Sequence, residues 1–160
     1  MRHYFFDTSA FVKRYALEPG SRVVGDLLQS AKRQPSAVRV FVSELVHPET
    51  VSALSQIVHG PEPAKYGLSR AAGWRAVNEI AQDLGDKAHV HVVRVGGMML
   101  RAADLVWKHR ITGADAVHLA AALTSRSLVR NPGEFYFVSA DRRQGAAAAA
   151  EGLAVIDPTG

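Results

Sequence analysis

Three aspartates in the sequence stand where an apolar, strand-like run gives way to a helix-like run. Asp7 follows His3-Tyr4-Phe5-Phe6, Asp115 opens Asp115-Ala116-Val117-His118-Leu119, and Asp141 follows Phe135-Tyr136-Phe137-Val138-Ser139-Ala140. In a parallel α/β sheet the carboxyl ends of all strands share one edge, and ligands bind there. Acids distant in sequence converge at such an edge, and converging carboxylates suit a hard cation such as Mg²⁺. The chemistry to which this pattern points is metal-dependent hydrolysis.

Aspartate also caps helices and complements the helix dipole, so any one of the three needs no catalytic role. Three at one edge fit that use less well, because like charges brought together need a cation. Thr8, Ser9 and Ser139 stand beside Asp7 and Asp141 as neutral capping alternatives. A fourth carboxylate has two sources at the exit of the second strand. Glu44 stands nearer the strand end, while Glu49 lies under two turns along the next helix, within reach of the edge. Both choices stay open, and both residues suit a solvated helix face. His118 is at i+3 from Asp115 and shares its side of the helix; packing beside the core is its expected use, with assistance to the site the alternative. Lys13, Arg14, Arg142 and Arg143 flank the acidic edge in sequence, where a phosphodiester substrate would need cations.

The elements that must position these residues alternate between strands and helices. Strands are expected at Arg2 to Phe6, Val38 to Val42, His89 to Val95, Glu134 to Ala140 and Leu153 to Asp157. A helix after Asp7 carries Phe11, Val12, Tyr15 and Ala16 as far as Pro19-Gly20. Another begins at Ser21, with Val24, Leu27, Leu28 and Ala31 at helical spacing. The helix over Ser43 to Val58 contains Pro48, so it starts near His47 or kinks. Gly60 to Gly73 reads as a loop. Trp74, Val77, Ile80, Ala81 and Leu84 form a stripe that ends at Gly85, and Trp74 and Trp107 both fit core stripes. Helices follow over Gly97 to Lys108, from Asp115 with Ala116, Leu119, Ala120 and Leu123 on one face, and over Gly145 to Gly152. The order specifies an α/β fold with a mostly parallel sheet of about five strands.

At 160 residues the chain is long enough for one cored domain, residues 1–160. Its net charge of +4 permits a polyanionic partner. Having no cysteine, it makes no disulfide, thiolate metal site or cysteine nucleophile. No apolar run approaches the ~20 residues of a membrane span, and the few residues before Asp7 are too short for a signal peptide. A cytoplasmic location with no membrane partner is the expectation.

The block Asp7-Thr8-Ser9-Ala10-Phe11-Val12-Lys13-Arg14-Tyr15, with Glu18-Pro19-Gly20-Ser21 after it, closely resembles PIN-domain proteins, nearest to VapC-like toxins of toxin–antitoxin pairs. Similar blocks continue at Val42-Ser43-Glu44-Leu45 with Glu49-Thr50-Val51-Ser52-Ala53-Leu54, at Ala114 to Leu123, and at Phe137 to Arg143. The four come in the family's order. The resemblance implies a parallel α/β domain with helices on both faces and divalent-metal-dependent ribonuclease activity, with Mg²⁺ or Mn²⁺ as cofactor. It matches Asp7, Asp115 and Asp141 to the metal-binding aspartates and Glu49 to the helix glutamate, with Thr8, Ser9 and Ser139 as orienting hydroxyls. It implies an RNA substrate, a cognate antitoxin and a homodimer. Pro48 just before Glu49 departs from the pattern and keeps Glu44 as a rival; the segment from Val58 to Gly73 is longer and more broken than a compact member needs. The competing readings are a non-catalytic PIN-fold domain that binds RNA or protein, and an aspartate-nucleophile phosphatase. The latter wants a second acid two residues after Asp7, where Ser9 stands.

Overall fold

The computed structural model describes all residues 1–160. Five strands, β1 (Arg2–Phe6), β2 (Val38–Ser43), β3 (Val90–Val93), β4 (Phe135–Val138) and β5 (Ala154–Ile156), form one sheet in the order β3-β2-β1-β4-β5. Every pairing is parallel, with Phe6 opposite both Val42 and Val138. The chain winds from β1 out to β3, then crosses back to β4 on the other side. That reversal puts the topological switch point between β1 and β4, where α/β sheets open a crevice beyond the strand ends.

Seven α-helices cover the two faces: α1 (Thr8–Phe11), α2 (Ser21–Arg33), α3 (Val46–Val58), α4 (Arg70–Gly85), α5 (Met99–His109), α6 (Gly113–Leu128) and α7 (Arg142–Ala150). Alternation along the central strands decides which core each residue enters. Tyr4, Phe6, Val38, Val40 and Val42 pack with α1 to α4, whereas Phe5, Phe135 and Phe137 pack with α5 to α7.

Several expectations from the sequence need correction. The helix expected to reach Pro19-Gly20 stops at Phe11 and tightens into a 3₁₀ turn at Val12–Arg14, closed by Tyr15 N–H to Val12 O at 2.9 Å. The helix with Pro48 does start near His47, at Val46, but Pro48 is its third residue and not its first; it stands in the first turn, where a missing N–H has no helical acceptor to lose. The Gly60 to Gly73 loop is only partly a loop, since Pro63–Tyr66 is a 3₁₀ turn and α4 already begins at Arg70.

Trp74 and Trp107 are not core residues: they are 74% and 90% exposed. In α4 the buried positions are Gly73, Ala76 and Ile80. Gly73 lets α4 approach α3 so closely that a Cβ there would lie 2.6 Å from Val58 Cγ2, and this phase turns Trp74 outward. Trp107 comes two residues after buried Leu105, hence on the opposite side of α5. Asp115 also differs from its expected setting. What precedes it is α5, not a strand, so it stands at a helix-to-helix corner made by Arg110 in the left-handed region (φ 55°) and buried Ile111. Finally, α6 is buried on nearly all sides rather than on one face, because it is packed between the sheet and α5.

Candidate active site

Asp7 lies one residue beyond β1, at the switch point, and its N–H still donates to Val138 O of β4 at 3.2 Å. It is the N-cap of α1, with Oδ1 accepting from Ala10 N–H at 2.8 Å. Ser139 Oγ donates to Oδ2 at 2.6 Å, and Ser9 Oγ lies 2.9 Å from both oxygens. The two serines therefore orient Asp7 rather than cap in its place. Only 1% of the residue is exposed. Burial pushes the Asp7 carboxyl up to about 6, against the opposing pull of the Ser139, Ala10 and Ser9 hydrogen bonds and of nearby His118.

Glu49 reaches this centre from the first turn of α3. Its Oε2 accepts from Thr8 Oγ1 at 2.7 Å and lies 2.5 Å from His118 Nε2. His118 is 2% exposed, and its other nitrogen, Nδ1, is 2.9 Å from Ser43 Oγ at the end of β2. Partial burial pushes the Glu49 carboxyl up, but the bonds from His118 and Thr8 and the His118 charge outweigh it and hold the group below the usual carboxylate range. Glu44, the rival, turns elsewhere: its Oε1 accepts from Val95 N–H at 2.9 Å, and its Oε2 is 4.0 Å from Arg94 Nε. Glu49 is the glutamate joined to Asp7, through Thr8.

Asp141 and Asp115 both carry out the capping work open to them. Asp141 is the N-cap of α7, with Oδ1 accepting from the N–H groups of Arg143 and Gln144 at 2.8 and 3.1 Å. Asp115 is the third residue of α6; its Oδ2 accepts from Thr112 Oγ1 at 2.7 Å in a reciprocal capping box. Ser139 ties Asp141 to Asp7, since its Oγ accepts from Asp141 N–H at 3.1 Å. Gln144 ties Asp115 in, with Nε2 donating to Asp115 O at 3.1 Å. The four acids thus belong to one hydrogen-bonded edge, but their side chains do not close into a group of three or more that cages an ion.

The donor chemistry nevertheless fits a hard divalent cation. All four groups offer carboxylate oxygen, and Glu49 Oε1, Asp115 Oδ1 and Asp141 Oδ2 receive no hydrogen bond from the protein. Mg²⁺ keeps several waters and needs only one or two carboxylates. A cation beside Asp7 would also favour the ionised form that burial opposes.

The basic rim is smaller than the sequence suggests. Lys13 is buried and paired with Glu18 at 2.9 Å, and Arg14 faces Asp83 at 3.5 Å. Arg142 and Arg143 remain exposed, and Arg143 Nη2 donates to Arg110 O across the corner before α6. Ser43 and Gln144 escaped sequence reasoning, and the contact of His118 with Glu49 did too. Gln144 stands in the first turn of α7, Ser43 at the end of β2 and His118 in the second turn of α6, and no local pattern says what each of them meets.

The PIN domain family model matches residues 4–150, from within β1 to the end of α7. No curated protein matches the chain significantly. PIN domains are generally nucleases, typically metal-dependent, and usually employ Mg²⁺ or Mn²⁺. With that match across nearly all of the sheet and every helix, the chain belongs to the PIN domain family.

Proposed function

We propose that the protein is a metal-dependent endoribonuclease, residues 1–160 acting as one nuclease domain, and that it is the toxin of a VapBC-type toxin–antitoxin pair. The observation that carries the nuclease reading is Asp7, a carboxylate buried at the switch point and raised to about 6, linked through Thr8, Ser139 and Gln144 to the elements that bear Glu49, Asp141 and Asp115. In this reading Asp7, Asp115 and Asp141 hold the cation, and Glu49 completes the acidic centre. The bound cation would polarise the scissile phosphate and lower the pKa of an attacking water. Thr8, Ser9 and Ser139 orient the acids, so no protein side chain has to act as nucleophile. Arg142 and Arg143 bind phosphates of the RNA.

The toxin assignment rests on the four sequence blocks. Exposed Trp74, Leu100 and Trp107 suit surfaces that an antitoxin or a second copy would cover. A second reading, a non-catalytic PIN-fold domain that binds RNA or protein, draws support from the lack of a closed three-ligand cage. Incubating the purified protein with a mixed RNA pool in Mg²⁺, in Mn²⁺ and in EDTA separates the two. Endonucleolytic products that vanish in EDTA support the nuclease; binding without cleavage in either metal supports the alternative.

A further inference from the structure

We infer that His118 is the positioning residue of the acidic centre, holding the Glu49 carboxylate in place from α6; the inference rests on the nuclease reading above. Four separate elements meet at this imidazole. Nε2 is 2.5 Å from Glu49 Oε2 on α3 and 3.1 Å from Thr8 Oγ1 on α1, while Nδ1 is 2.9 Å from Ser43 Oγ at the end of β2. Thr8 adjoins Asp7 in the chain, so the ring and the first metal-site acid share one hydroxyl neighbour.

The hydrogen-bond inventory fixes which nitrogen does what. An ionised carboxylate only accepts, so Nε2 carries the proton directed at Glu49. The Thr8 hydroxyl donates its own proton to the same Oε2, at 2.7 Å, and therefore meets Nε2 through its lone pairs. Ser43 Oγ accepts from Leu45 N–H at 3.2 Å and faces Nδ1 with its remaining capacity, locking the ring plane. His118 is 2% exposed, so water does not offer it competing partners. Glu49 needs such a holder because it projects from the first turn of α3 with its Oε1 unbonded. Both protein donors to its carboxylate converge on Oε2, which leaves Oε1 for the cation or its water. Asp115 lies one turn earlier on α6, so the helix that offers one acid also fixes another.

The test compares the full-length protein with H118Q and H118N, whose amide nitrogens reach the positions of Nε2 and Nδ1 respectively. Both variants lose the ring and its packing, so a difference between them reads the Nε2 contact; thermal unfolding establishes that both fold. RNA cleavage with Mn²⁺ is expected to show kcat down on the order of 10–100-fold in H118N, with KM for RNA little changed, and largely retained in H118Q. The imidazole ¹⁵N spectrum of the metal-free parent should show Nε2 protonated. Equal kcat in the two folded variants, or an unprotonated Nε2, overturns the inference. If the parent cuts no RNA, the nuclease reading falls separately, and Mn²⁺ titration decides the positioning role. Affinity weakened about tenfold in H118N but not in H118Q upholds it, and equal affinities overturn it.

Discussion

Replacing Asp7 with asparagine should stabilise the metal-free protein near neutral pH, even though it removes an acid from the centre. The Asp7 carboxyl sits at about 6 in the folded chain against an ordinary 3.8, because burial disfavours its charge. Between those values the folded chain keeps a proton that the unfolded chain has released. Stability therefore falls as pH rises through this window and stays lower above it. The gap, at 1.36 kcal/mol per pH unit, is worth about 3 kcal/mol. Asp7 is 1% exposed, so solvent screening takes little from that figure. Asparagine preserves the shape and an oxygen for Ala10 N–H, and the Ser139 hydroxyl can rotate to accept from the new amide. Urea unfolding of D7N and parent in EDTA should show equal stability at about pH 3, below the unfolded value. At pH 7.5 D7N should lead by up to about 3 kcal/mol, or roughly 6–12 °C in Tm for a chain of this size. Mn²⁺ at a hundred times its Kd should then return about 2.7 kcal/mol to the parent and little to D7N. A D7N protein less stable than the parent at pH 7.5, or a difference that does not change with pH, refutes the reasoning.

Glu49 should show the opposite sign. Its carboxyl is held below the usual range, so it contributes stability at neutral pH that is lost as pH falls through the lowered value; E49Q should flatten that part of the acid unfolding curve. G73A places a methyl 2.6 Å from Val58 Cγ2 and should cost about 1–3 kcal/mol in urea unfolding, with G73A/V58A recovering most of it. T112A breaks the capping box of α6 and should cost about 1 kcal/mol by thermal unfolding. If RNA cleavage in T112A falls far more than stability does, the Thr112 hydroxyl also orients Asp115.

The alternation of apolar runs was enough to read the parallel sheet and the helix order, because β-branched and aromatic strands such as Val38 to Val42 have no helical alternative of comparable burial. Asp7 and Asp141 were legible for the same reason: each stands at the end of such a run. What failed was helix phase and helix extent. Trp74 has apolar neighbours at helical spacing, but the close α3–α4 contact at Gly73 decides which side is buried, and that contact lies in the fold and not in the period. The setting of Asp115 was misread, since a helix corner and a strand end both place capping residues before an apolar run. Glu49 and Glu44 were inseparable in sequence. Only the return of α3 over α1 brings Glu49 to Thr8 and His118, while β3 takes Glu44 through Val95 N–H. Partners across 69 residues, as for His118 and Glu49, leave no local signal.

The central claim is that the acidic edge cuts RNA that basic side chains bind. RNA affinity and cleavage rate, measured side by side in Mn²⁺ for the parent and D7N, test it most directly. The expected result is binding preserved within roughly threefold, because phosphate contacts supply it, and cleavage slower by about 100-fold or more, because the acidic centre has lost its first ligand. A D7N protein that cleaves RNA as fast as the parent would contradict it.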